Sequence, residues 1–104
     1  MYLYVKTHNK SGLKYLGKTI QNPFKYKGSG TYWLRHIKKY GNDVTTEILL
    51  ETDDKELIKE KGMYYSELWQ VVNSPDWANL IPEQGDGGDT SKSLKYIQSM
   101  KNKD

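Results

Sequence analysis

Tyr2-Leu3-Tyr4 and Tyr15-Leu16-Gly17 are two short apolar-aromatic runs with His8-Asn9-Lys10-Ser11-Gly12 between them. A turn rich in Asn, Ser and Gly between such runs predicts a β-hairpin, with strands over residues 2 to 7 and 13 to 18. This constrains the chain more than any other feature, because neighbouring antiparallel strands present alternate side chains to a shared surface. Tyr4 and Tyr15, eleven positions apart in the sequence, are expected to bring two phenols onto that surface.

Downstream of the hairpin, Thr19 to Gly30 contains Pro23 and Lys25-Tyr26-Lys27-Gly28-Ser29-Gly30, too heavily punctuated for a helix. A helix is expected from about Thr31, capped by Ser29 or Thr31, to Gly41, which suits the position after a helix end. Trp33, Ile37 and Tyr40 would share its inner face, with Arg35, Lys38 and Lys39 mostly on the other. Val44 to Glu51 alternates and is β-branched, predicting a third strand. Asp53 and Glu56 have capping-box spacing ahead of a longer helix carrying Leu57, Ile58, Tyr64, Tyr65, Leu68, Trp69 and Val72. Gly62 inside that helix costs about 1 kcal/mol relative to alanine, so it marks either close packing or a break. After Pro75, Trp77 to Ile81 returns to the core. Gln84 to Asp89 reads as a hinge, and residues 90 to 104 as a polar helix around Leu94, Ile97 and Met100. The order strand, strand, helix, strand, helix predicts a small α/β (α+β) sandwich: a three-stranded, mainly antiparallel sheet flanked by helices.

At 104 residues and 12.1 kDa the chain has room for a single compact domain. Cysteine is absent and histidine is limited to His8 and His36, which excludes disulfides and thiolate metal sites and argues against a multi-histidine zinc site. Neither a signal peptide nor a membrane span is expected, and a cytoplasmic setting is the default. The net charge of +3 conceals an asymmetry. Residues 1 to 42 hold eight lysines, Arg35 and no acid, for +9; the remainder holds seven lysines and thirteen acids, for −6. A half-chain without a carboxylate points to a polyanion as partner.

The two tyrosine motifs, eleven positions apart on a hairpin, resemble those of the GIY-YIG nuclease family. Leucine stands for isoleucine in both motifs, and Tyr2 occupies the place of the first glycine. The resemblance extends over residues 1 to 88, leaving 89 to 104 as a polar tail or linker. Lys38-Lys39-Tyr40-Gly41-Asn42 looks like the family's helix-to-strand junction, and Asn79 with Gly87-Gly88 like its closing asparagine and glycines. It implies a three-stranded antiparallel sheet with flanking helices, and a DNA endonuclease like those of phage-borne homing enzymes. It further implies two active-site tyrosines, an arginine on the scissile phosphate, and a glutamate holding one divalent cation, Mg²⁺ or Mn²⁺.

Carried onto this chain, the tyrosine roles fall to Tyr4 and Tyr15. A free phenol ionises near pH ~10, so a neighbouring cation must lower it for base chemistry, and Lys18 just past the second motif is the candidate. Where the family has its arginine this chain has Lys25; the only arginine is Arg35, beside His36. Arg35 with His36 is the favoured assignment, with Lys25 and Lys27 as a weaker point-charge alternative. The metal ligand is assigned to Glu60, upstream of Tyr64-Tyr65, with Glu67, Glu47 and Glu83 as alternatives. A gapless match would place Lys61 or Gly62 there and remove the metal site. Lys25, Lys27, Gly28 and Ser29 form a candidate backbone-phosphate clamp, joined by Lys38. It is not a Walker motif, and no nucleotide cofactor is expected. The expected function is a metal-dependent endonuclease acting on duplex DNA. The rivals are a nucleic-acid-binding module that has lost catalysis, and a small protein-interaction or inhibitor module anchored by Trp and Tyr.

Overall fold

β-strand alternation sorts the apolar residues of the chain into two separate cores. The structure is a computed structural model, and it describes residues 1–80 and residue 83. β1 (Tyr2–His8), β2 (Lys14–Thr19) and β3 (Val44–Glu51) form one antiparallel sheet in the order β2-β1-β3. Two helices complete the fold: α1 (Thr31–Tyr40) between β2 and β3, and α2 (Lys55–Leu68) after β3. The small α+β fold with a three-stranded antiparallel sheet is the one expected.

Leu3 and Val5 of β1 and Leu16 of β2 point to one face of the sheet, where they pack with Ile58, Val71 and Trp77. Tyr4 and Tyr15 point to the other face and pack with Leu13, Trp33, Ile37 and Ala78. α2 therefore covers one face and α1 the other, and the central strand β1 is buried from both sides. A bulge between Leu3 and Tyr4 shifts the pairing with β3 from Leu50 to Ile48.

β2 is an edge strand, and the chain covers that edge itself. Lys14 bridges in parallel to Trp77, with its N–H donating to Asp76 O at 2.9 Å and its carbonyl accepting from Ala78 N–H. Farther along, the Asn79 side chain accepts from Leu16 N–H at 2.9 Å and donates to Leu16 O at 2.8 Å. One amide thus replaces a neighbouring strand and satisfies backbone groups that burial would otherwise leave unpaired.

Several local expectations are corrected. The N-cap of α1 is Gly30, with no side-chain cap, rather than Ser29 or Thr31. Tyr40, expected on the inner face with Trp33 and Ile37, is 53% exposed and lies outside the core those two residues enter. Asp54, not Asp53, caps α2, accepting from Glu56 N–H at 3.0 Å and Leu57 N–H at 3.1 Å. Gly62 marks close packing rather than a break: a Cβ there would lie 2.8 Å from Glu83 O. Ser66, one turn on, holds the same segment by accepting from Glu83 N–H at 2.8 Å. The hinge over 84 to 89, the glycine pair and the terminal helix around Leu94 lie outside the described residues, as does Ile81.

Candidate active centre

Directly paired strand residues point the same way, so the register puts Tyr4, Lys6, Tyr15 and Gly17 on one face of the hairpin. The Tyr4 and Tyr15 rings lie 6.4 Å apart, tilted by 51°. Gly17, opposite Tyr4, makes this possible: any Cβ there would collide with the Tyr4 hydroxyl, and would lie 2.8 Å from Cε2 of Tyr15. Tyr15 stacks on Trp33 at 5.9 Å, and its hydroxyl is 3.3 Å from Ser29 Oγ.

Both phenols are enclosed. Burial pushes Tyr15 up to about 12, against the opposing pull of its hydrogen bonds to Ser29 and Gly30. Burial raises Tyr4 further, with smaller contributions from Tyr15, Tyr26 and Glu83. The Tyr4 hydroxyl is the one buried side-chain polar atom without a hydrogen-bond partner among the described residues. At neutral pH both side chains are therefore protonated phenols. The lowering of a phenol by Lys18 that the sequence suggested does not occur. Lys18 pairs with Leu3 and so lies on the α2 face, away from the tyrosines.

The cation beside them is Lys6, which the sequence reading missed. It is 4% exposed and pairs across the strands with Tyr15. Its Nζ donates to Pro23 O at 2.6 Å and Thr46 Oγ1 at 2.8 Å, and lies 5.3 Å from the Tyr4 ring centroid. Burial lowers its pKa. Its position two residues after Tyr4 was the available signal, since residues i and i+2 of a strand share a face. Lys6 also lines a niche of about 180 Å³ with Lys25, Lys27 and Thr46.

The glycine loop is shaped by aromatic packing. Gly28 is buried at φ +104°, a Cβ there would lie 2.8 Å from Trp33 Cδ1, and Trp33 Nε1–H donates to Lys27 O at 2.9 Å. Gly28 serves the fold, while Ser29 is exposed beside the Tyr15 hydroxyl.

Glu60 is exposed on α2, whose inward residues are Ile58, Gly62 and Ser66. Two residues of helix turn a side chain by about 200°, so Glu60 faces away from the inner stripe. Glu47 and Glu67 are exposed as well. Glu83 is different: its side chain lies against Gly62, and its charge raises both tyrosines. No group of three or more His, Asp or Glu side chains placed to hold a metal ion occurs among the described residues. A lone carboxylate fits Mg²⁺, which is commonly held by one or two carboxylates, water and substrate phosphates.

Arg35 and His36 stand elsewhere. They line an open cleft at the turn end of the hairpin, with Lys10, Ser11 and Lys39; neither Tyr4 nor Tyr15 lines it. Lys38 is exposed on α1 outside both cavities. The structure thus joins Tyr4, Tyr15 and Lys6, separates them from Arg35, His36, Lys18 and Glu60, and packs Glu83 against Gly62 of α2. No helix among the described residues is long and apolar enough to cross a membrane. No protein-family model, no curated protein and no solved structure matches the chain.

Proposed function

We propose that the protein is a metal-dependent endonuclease of the GIY-YIG kind, hydrolysing phosphodiester bonds in duplex DNA with Mg²⁺ or Mn²⁺. The observation that carries this reading is the pairing of Tyr4 and Tyr15 at 6.4 Å on one hairpin face, with Lys6 across the strand from Tyr15. The +9 charge of residues 1 to 42 supports a polyanionic substrate.

The protonation states assign the work. Tyr15, a neutral phenol at pH 7, donates a hydrogen bond and positions an attacking water or a phosphate oxygen instead of acting as a standing base. Lys6, Lys25 and Lys27 supply positive charge where the phosphate gains negative charge. Being ammonium groups, they act as point charges and not as the two-pronged clamp of an arginine. Glu83 would hold the divalent cation, which when bound polarises a phosphoryl oxygen and acidifies a water.

A second reading, a nucleic-acid-binding module without cleavage, is favoured by the sealed Tyr4 hydroxyl and the raised tyrosines. Incubation with supercoiled plasmid in Mg²⁺ and in Mn²⁺ separates the two. Nicking that is lost in Tyr15→Phe and in excess EDTA supports the nuclease. Tight, salt-sensitive DNA binding with no nicking in either metal establishes the binding module in its place.

A further inference from the structure

Tyr32, Arg35, His36, Lys39 and Tyr40 of α1 line one cleft, while Trp33 and Ile37 of the same helix are buried in the core. With the hairpin turn they enclose an open space of about 850 Å³. Among the described residues no carboxylate lines it, while Lys10, Arg35 and Lys39 all do.

One wall is held in place by hydrogen bonds. His8 is 1% exposed, and its Nε2–H donates to Gly41 O at 3.1 Å, which leaves Nδ1 as the acceptor in the neutral ring. That nitrogen lies 2.8 Å from Ser11 Oγ, which in turn lies 3.0 Å from His36 Nε2. The His36 ring packs against Tyr40 at 4.8 Å, so the chain runs from the buried strand to an exposed aromatic. Lys39 Nζ sits 5.2 Å from the Tyr40 centroid. A half-exposed ring on an ordered support, surrounded by cations, is the arrangement that stacks an unpaired base while neighbouring charges hold its phosphates.

We propose that this cleft binds a single-stranded or locally unpaired segment of DNA, a base stacking on Tyr40 and backbone phosphates meeting Arg35, Lys39 and Lys10. A duplex hides its base faces and does not satisfy Tyr40 in this way. The inference rests on the nucleic-acid part of the proposed function and not on cleavage.

The test is equilibrium binding in EDTA, followed by fluorescence anisotropy, of a labelled oligothymidine of about 12 nucleotides and of a duplex of equal length. Tyr40→Ser is expected to weaken the single strand about fivefold or more and the duplex less than about twofold. Tyr40→Phe keeps the stacking face and is expected to retain the wild-type affinity. Arg35→Ala combined with Lys39→Ala lowers the salt slope for the single strand by about 1.4, at ~0.7 per phosphate contact. Lys55→Ala, exposed at the start of α2, controls for bulk charge. Equal losses on both ligands in Tyr40→Ser, no loss on either, or a Lys55→Ala effect as large as the double variant overturns the proposal. A protein that nicks nothing but shows the Tyr40 pattern loses the nuclease reading alone. One that nicks and shows no such pattern loses this inference alone.

Discussion

The hydroxyl of Tyr4 occupies the space that any side chain at Gly17 would fill. The two residues face each other across the β1–β2 ladder, and the absence of a Cβ on one admits the phenol of the other. The hydroxyl arrives there without a hydrogen-bond partner, an unfavourable position for a buried polar group.

Two variants read the two sides of this contact. Gly17→Ala is expected to destabilise the fold by about 1–3 kcal/mol through overpacking, seen as a lower urea midpoint. Tyr4→Phe removes the unpaired hydroxyl and is expected to stabilise by about 1–3 kcal/mol. A Tyr4→Phe protein with a lower midpoint would show that the hydroxyl is satisfied in solution.

Tyr15 makes stability fall at alkaline pH. Its folded pKa of about 12 exceeds the reference of 10.0, so the unfolded chain releases the proton first. The associated stabilisation is fully present below pH 10 and is lost as the pH rises toward 12, amounting to about 3 kcal/mol at ~1.4 kcal/mol per pH unit. Tyrosinate absorbance should show Tyr4 and Tyr15 silent until the chain unfolds. Tyr15→Phe should flatten the alkaline limb of the stability curve; an unchanged limb contradicts the assignment.

Glu83→Gln and Glu60→Gln distinguish the carboxylate of the segment packed on Gly62 from the exposed one on the outer side of α2. Loss of Glu83 is expected to lower metal-dependent nicking about 100-fold, at the upper end of what even indirect ligand support contributes. Glu60→Gln should leave it unchanged. The reverse ranking would return the metal to the outer side of α2.

Asn79→Ala should leave the Leu16 N–H and C=O buried and unpaired, at about 1–3 kcal/mol each. Hydrogen exchange at Leu16 is the local readout. Protection equal to wild type would mean that water or another group takes over the amide's role.

Much of the framework was legible because it depends on neighbours in sequence. The Asn-Ser-Gly turn defines the hairpin, the alternation of Val44 to Glu51 marks β3 with its observed bounds, and Gly41 ends α1. Lys6 was legible too, since a period of two puts it beside Tyr4; the same period places Lys18 on the opposite face from Tyr15. Charge proximity along the chain misled where strand parity should have decided.

The sequence by itself determined the hairpin, the element order and the cationic half, because local periodicity, turn chemistry and composition act over short distances. Only the tertiary structure decided which charges meet the tyrosines. The segment of Glu83 packs closely on Gly62, and Arg35 points away from the tyrosines because Trp33 and Ile37 claim the inward face of α1. Burial also set both phenols above their usual range, a property of the enclosed space and not of either motif.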